Sequence, residues 1–259
     1  MDEREPVGEN PSMTRSVFLF GMVLGVLWSL GAEPQPLVMN MSPGGFPPYM
    51  IYDPDAGIRQ GILYDVLVRL VEPLGYRVVT DAIPRKRVAQ MMQQGTLDVS
   101  ERAKEWEEDP GQYLWSNPVI EVENRVVSLA KAPLEFRSPR DLAGKTLATI
   151  LGYTYPELDE VFQSGLVHRV DVLNPEAQLR MVLSGRADGA VLYGAVAEYT
   201  IRDAGLPKAQ LALSRSSFGA VGYRYMFAKR WEALVPLVNR GLARLKESGD
   251  LDRITAAYR

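Results

Sequence analysis

Two spacings of apolar residues alternate along the chain. Between residues 61 and 74, apolar side chains fall at Ile62, Val66 and Leu70 and again at Leu63, Leu67, Val71 and Leu74. That is helical spacing, and Gly75 stands where such a helix stops. Pro84 opens a second helix that runs to Gln94, with Gly95 as its stop. Further helices are predicted after Gly152, over 175–184 and over 231–248, the last with Leu234, Val238, Leu242 and Leu245 on one stripe. Between them lie short β-type runs at 36–41, 76–80, 97–99, 125–129, 145–151, 170–173 and 189–192. Strands alternating with helices predict an α/β protein with a parallel-type sheet covered by helices.

One segment occurs twice in similar form. Residues 89–100 (AQMMQQGTLDVS) and 179–190 (LRMVLSGRADGA) both read helix, Gly, two residues, Asp, strand. Gly supplies a left-handed helix end and Asp stands at the strand entry. Such a join also arises by chance in α/β chains. As a repeat, it predicts two similar lobes rather than one continuous sheet.

The first residues read as an address. Residues 17–30 (VFLFGMVLGVLWSL) are apolar, follow Arg15 and end at the small residues Ser29, Gly31 and Ala32. The run is shorter than the roughly 20 residues that cross a bilayer. It predicts a signal peptide over 1–32, cleavage after Ala32 or one residue earlier, and a periplasmic product. An uncleaved anchor is the competing reading. The acidic stretch 1–12 suits a signal poorly, so Met13 competes with Met1 as the start.

Composition narrows the chemistry. The 259 residues include 29 Lys plus Arg, 32 Asp plus Glu, one His (His168) and no Cys. Thiol catalysis, disulfides and Cys-ligated zinc are excluded, and a single His excludes a multi-His metal site. No metal and no cofactor is expected. A net charge of -3 argues against a nucleic-acid partner.

Several short pieces, in order, carry a family resemblance. They are FPPY (46–49), GILYD (61–65), LGY (74–76), QGTLD (94–98), WSNP (115–118), DLAGKTLATILGYTY (141–155), SGRADGAV (184–191) and the ending LVNRGLARLKESGDLDRITAAY. Their order and spacing resemble the extracytoplasmic solute-binding proteins that serve polar-amino-acid ABC importers. The resemblance implies a two-lobed periplasmic-binding-protein fold (type II) with a ligand cleft between the lobes. Lobe 1 would comprise 33–128 and 215–259, and lobe 2 residues 129–214. The function implied is capture of a small polar or carboxylate-bearing solute by a monomer and its delivery to a membrane permease. A sensor domain is the alternative, and a dehydratase-like enzyme with acids at Asp65, Glu101 and Glu105 is the next.

Within that architecture, ligands collect beyond the carboxyl ends of strands. Phe46 and Tyr49 follow the first strand and would face the cleft, or else pack Phe46 into the core behind a rigid turn. Tyr153 and Thr154 would sit at a helix N-terminus suited to an anion, with Thr154 also able to serve as a cap. Arg102 is the first candidate for a carboxylate clamp, with Arg87 and Arg125 in reserve, although each also reads as a surface arginine. The acidic, aromatic stretch 105–115 would line the cleft through Trp106 or Trp115, or form a solvated loop. Relatives that hold an α-amino group tend to carry an Asp where this chain has Tyr193. A tyrosine is no counter-ion for an ammonium, which points to a ligand other than a standard amino acid.

Overall fold

The structure, a computed structural model, describes residues 33–258 except 42, 44 and 54. The expected signal segment 1–32 and both alternative starts lie outside the described residues. The strands are β1 (Gln35–Asn40), β2 (Ile51–Asp53), β3 (Ile58–Gln60), β4 (Tyr76–Asp81), β5 (Val99–Ala103), β6 (Leu114–Trp115), β7 (Ile120–Leu129), β8 (Thr146–Ile150), β9 (His168–Val172), β10 (Gly189–Tyr193) and β11 (Leu211–Phe227). The helices are α1 (Ile62–Val71), α2 (Arg85–Gln94), α3 (Asp159–Gln163), α4 (Pro175–Leu183), α5 (Gly194–Asp203), α6 (Val235–Glu247) and α7 (Asp250–Ala256). No helix among the described residues is long and apolar enough to cross a membrane.

Nine strands share one hydrogen-bonded sheet in the order β4-β1-β5-β11-β7-β10-β8-β9, with β6 on β11. Parallel strands occupy both ends: β4, β1 and β5 at one, β10, β8 and β9 at the other. This corrects the expectation of two separate sheets. The two segments that cross between the ends, β7 and β11, are themselves strands and pair antiparallel, so hydrogen bonding runs unbroken through them. The pairing of β11 with β7 shifts register between Leu213 and Ser217 and between Phe218 and Val221. Such bulges bend a strand and raise its twist.

The repeated segment has one geometry at both ends of the sheet. The Val38 N–H donates to Asp98 Oδ2 at 2.7 Å, and the Asp98 N–H donates to the Val38 carbonyl at 3.0 Å. The Thr146 N–H donates to Asp188 Oδ2 at 2.8 Å, and the Asp188 N–H to the Thr146 carbonyl at 2.9 Å. Each Asp thus ties its own strand entry to the neighbouring parallel strand. Gly95 and Gly185, at φ 76° and 71°, turn the chain out of the preceding helix into that position. A side chain there would be strained.

Burial follows the strand period of two. On β8 and β10, Ala148, Ala190 and Leu192 belong to the larger apolar core, which continues under α4 and α5 and along the sheet to α1 and α6. Leu147 and Val191 face the opposite way, into a smaller core with Val161 of α3 and Phe218 of β11. The chain end is fastened by buried Asp98, which accepts from Arg230 Nη2 at 2.5 Å and from the Trp231 indole N–H. Helices α6 and α7 then pack on α1.

One predicted helix is absent where it was expected. After β8, Leu151 and Gly152 form a turn, with Gly152 at φ 81°. Residues 153–155 are irregular, and α3 starts only at Asp159. Pro156 gives the reason, because the residue before a proline is driven out of the helical region. Thr154 therefore caps no helix.

Candidate functional site

Two strand ends and the loop after a third strand border one cavity of about 420 Å³. The loop 45–47 follows β1, the segment 153–155 follows β8, and Tyr193 ends β10; all three border it. Helices α4 and α5 supply the remaining wall. Phe46, Tyr153, Thr154 and Tyr193, expected from the sequence, are thereby brought together.

The rings form a connected cluster. Phe46 stacks on Tyr49 at 5.3 Å between centroids and meets Tyr193 edge to face at 6.0 Å. Tyr49 is 2% exposed and lies behind Phe46 rather than on the wall of this cavity. Tyr223 of β11 joins the group, 6.2 Å from Phe46, 5.7 Å from Tyr49 and 5.7 Å from Trp106. Its hydroxyl interacts with that of Tyr193. Desolvation is the main reason the Tyr193 phenol is pushed up to about 12, and it pushes Tyr223 higher still. Both phenols stay neutral and able to hydrogen-bond at physiological pH. Tyr223 is absent from the sequence-based expectations; the alternation of Tyr223, Tyr225 and Phe227 was the available signal.

The opposite rim is held by Arg169. Its Nη2 donates to the Tyr153 carbonyl at 2.9 Å, its guanidinium lies 5.4 Å from the Tyr155 ring centroid, and Nε bonds Asp171 at 2.8 Å. The Tyr155 hydroxyl accepts from the Ile150 N–H at 3.1 Å. An irregular segment is thus positioned from behind, leaving Tyr153 and Thr154 exposed at the cavity mouth.

The expected clamp does not join this group. Arg102 Nε pairs with Glu107 at 2.8 Å and Nη2 donates to the Trp106 carbonyl at 2.6 Å. Its side chain lines a separate cavity of about 160 Å³ with Arg85 and Trp106. The acidic stretch after β5 supplies Glu107, so the local chain itself takes up this charge. Arg125 is held by Glu123, with Nη2 at 2.5 Å, and also lines a different cavity. Arg87 is exposed on α2. Trp115 donates its indole N–H to the Pro110 carbonyl at 2.8 Å.

Among the polar residues of the main cavity that were not foreseen are Glu176, Gln178 and Asp203. Gln178 sits in α4, which was predicted, but nothing in its spacing says that a buried amide would face a cavity. Asp203 ends α5, a helix that follows β10 without a polar cap and so gave no start signal. No cluster of three or more His, Asp or Glu among the described residues is placed to hold a metal ion.

The chain belongs to the bacterial extracellular solute-binding proteins, family 3, whose family model matches residues 38–259. Its fold is the two-lobed binding-protein fold of that family, with a ligand cleft between the lobes. Solved structures share it. An ancestral cationic amino acid solute-binding protein is 20% identical, with a TM-score of 0.70, over 86% of this chain and 94% of that one. An ancestral arginine-binding protein bound to arginine is 23% identical, with a TM-score of 0.63, over 87% of this chain and 99% of that one. A histidine kinase sensor domain similar to periplasmic binding proteins is 22% identical, with a TM-score of 0.62, over 86% and 95%. No curated protein matches the sequence.

Proposed function

We propose that this protein captures a small polar solute in the cavity between Phe46 and Tyr193, in the periplasm, and hands it to the membrane permease of an ABC importer. The observation that carries the reading is the meeting of the β8 and β10 carboxyl ends with the loop after β1 at one cavity, since open α/β sheets hold ligands beyond the carboxyl ends of their strands. The family membership and the amino-acid-binding relatives support it. Residues 33–128 with 215–259 would form one lobe and 129–214 the other, closing by a hinge as the solute enters. Phe46, Tyr153, Thr154 and Tyr193 contact the solute, Tyr49 backs Phe46, and the protein works as a monomer. The solute is bound and released unchanged.

A thermal-shift screen over amino acids, amines, small carboxylates and neutral polar solutes tests the binding step, because a ligand that binds only the folded state raises its Tm. At least one class should raise it, and the bound solute should be recovered intact. No shift with any class contradicts the reading. Deleting the gene should abolish uptake of that solute. Unaltered uptake, with loss of a transcriptional response instead, would favour the sensor role that one of the structural relatives serves.

A further inference from the structure

Resting on the solute-binding reading above, we propose that the cavity takes an organic amine that carries no carboxylate. The ligand would be a cation with N–H donors at one end and an apolar or aromatic body at the other.

The first observation is an open acceptor. Gln178 is fully buried and lines the cavity. Its amide nitrogen donates to the Ala148 carbonyl and the Val191 carbonyl, both at 2.9 Å. With both donor positions spent on backbone acceptors, flipping the amide would set its oxygen against two carbonyls. Its orientation is therefore settled by its neighbours. Oε1 is buried and has no hydrogen-bond partner among the described residues. A buried acceptor left open costs about 1–3 kcal/mol, and a donor that reaches it, a ligand N–H among them, would satisfy it.

Charge points the same way. The acidic side chains on the cavity wall are Glu176 and Asp203, and no Lys or Arg stands among the described lining residues. Glu176 is paired at 2.6 Å with Arg180, which does not line the cavity. The start of α4 offers no place for an anion either. Asn174 Oδ1 already caps the Ala177 N–H at 2.8 Å, Pro175 has no N–H, and Glu176 sets its own carboxylate in the first turn. Arg102 and Arg125 are engaged by Glu107 and Glu123 in other cavities. A zwitterionic amino acid would therefore place its carboxylate beside Glu176 and Asp203, with the rim Arg169 already engaged by Asp171 and the Tyr153 carbonyl. An amine meets Gln178, the carboxylate of Asp203 and the rings of Phe46 and Tyr193, whose faces attract cations.

Calorimetric titration with matched pairs tests this: tyramine against tyrosine, and agmatine against arginine. Each pair differs only in the α-carboxylate. In at least one pair the amine should bind about tenfold or more tightly than its amino acid. N,N,N-trimethyltyramine keeps the charge but has no ammonium N–H, and should lose most of the tyramine affinity. Asp203 is exposed, so Asp203→Asn should fold normally, and it should weaken the amine about threefold or more. Equal or tighter binding by both amino acids, equal binding of the trimethyl compound, or no measurable binding of either amine overturns the inference. If amines fail while a carboxylate or neutral solute raises Tm, solute capture stands and the amine class falls. If no class raises Tm, both fall.

Discussion

Phe46 and Tyr193 meet edge to face, their centroids 6.0 Å apart and their planes at 79°. Phe46 follows β1 and Tyr193 ends β10, so two rings join strand ends from opposite ends of the sheet. Such a pair is worth about 0.5–1.5 kcal/mol beyond its buried area, small beside the roughly 8 kcal/mol of a micromolar complex. A solute can therefore replace the contact at little cost. Tyr223 packs against Phe46 and interacts with the Tyr193 hydroxyl, so both rings are supported from behind.

The two strand-entry aspartates should differ in worth although their backbone bonds match. The Asp98 side chain is 5% exposed and also receives Arg230 and Trp231, whereas Asp188 is 42% exposed beside Lys145. Removing one partner of a buried charged contact costs about 3–5 kcal/mol, and an exposed pair contributes about 1 or less. Urea unfolding should show Asp98→Ala destabilised by about 3 kcal/mol or more and Asp188→Ala by about 1–2 kcal/mol. Equal losses would mean that the tie from Asp98 to Arg230 and Trp231 contributes nothing.

Arg102→Ala should leave solute affinity within about twofold of wild type. Its guanidinium is committed to Glu107 and the Trp106 carbonyl, away from the main cavity. Titration of the tightest solute from the screen decides it. A loss of about tenfold or more would show that Arg102 leaves Glu107 to reach the ligand.

Stability should decline as pH rises from about 4.5 to about 7, through Glu101. Desolvation pushes this carboxyl up from 4.5 to about 7, against weaker pulls from hydrogen bonds, Arg85 and Arg102. The folded state then holds the proton more tightly than the unfolded chain. The group favours folding at acid pH and loses that advantage as it is forced to ionise. The Asp65 carboxyl is raised too, mainly by desolvation, and acts in the same direction. Thermal melts across this window should show wild-type Tm falling and Glu101→Gln flatter. Parallel curves would contradict it.

Much of the fold was legible because its signals are local. The stripes of α1, α2, α4 and α6 stand in the spacing of Leu, Val and Met, and the Gly-x-x-Asp repeat marked two equivalent strand entries. β11 was not legible. Gly219, Gly222 and two register shifts break its alternation, and LALSRSSFGAVGYRYMF shows no steady period. The helix expected after Gly152 failed on a local signal that was present, Pro156. The site divides along the same line. Phe46, Tyr153, Thr154 and Tyr193 follow strand ends, so topology alone gathers them. Arg102 carries the right chemistry, but its direction depends on Glu107. The open oxygen of Gln178 depends on Ala148 and Val191, carbonyls that only the folded sheet brings to it.

The most direct measurement is calorimetric titration of the tightest solute from the screen into wild type, Phe46→Ala and Tyr193→Ala. Each ring borders the cavity from one side, and each truncation removes apolar contact worth about 1.5 kcal/mol or more. Kd should rise about tenfold or more in both variants, with Tm showing each still folded. Unchanged Kd in both would place the solute elsewhere and contradict capture between Phe46 and Tyr193.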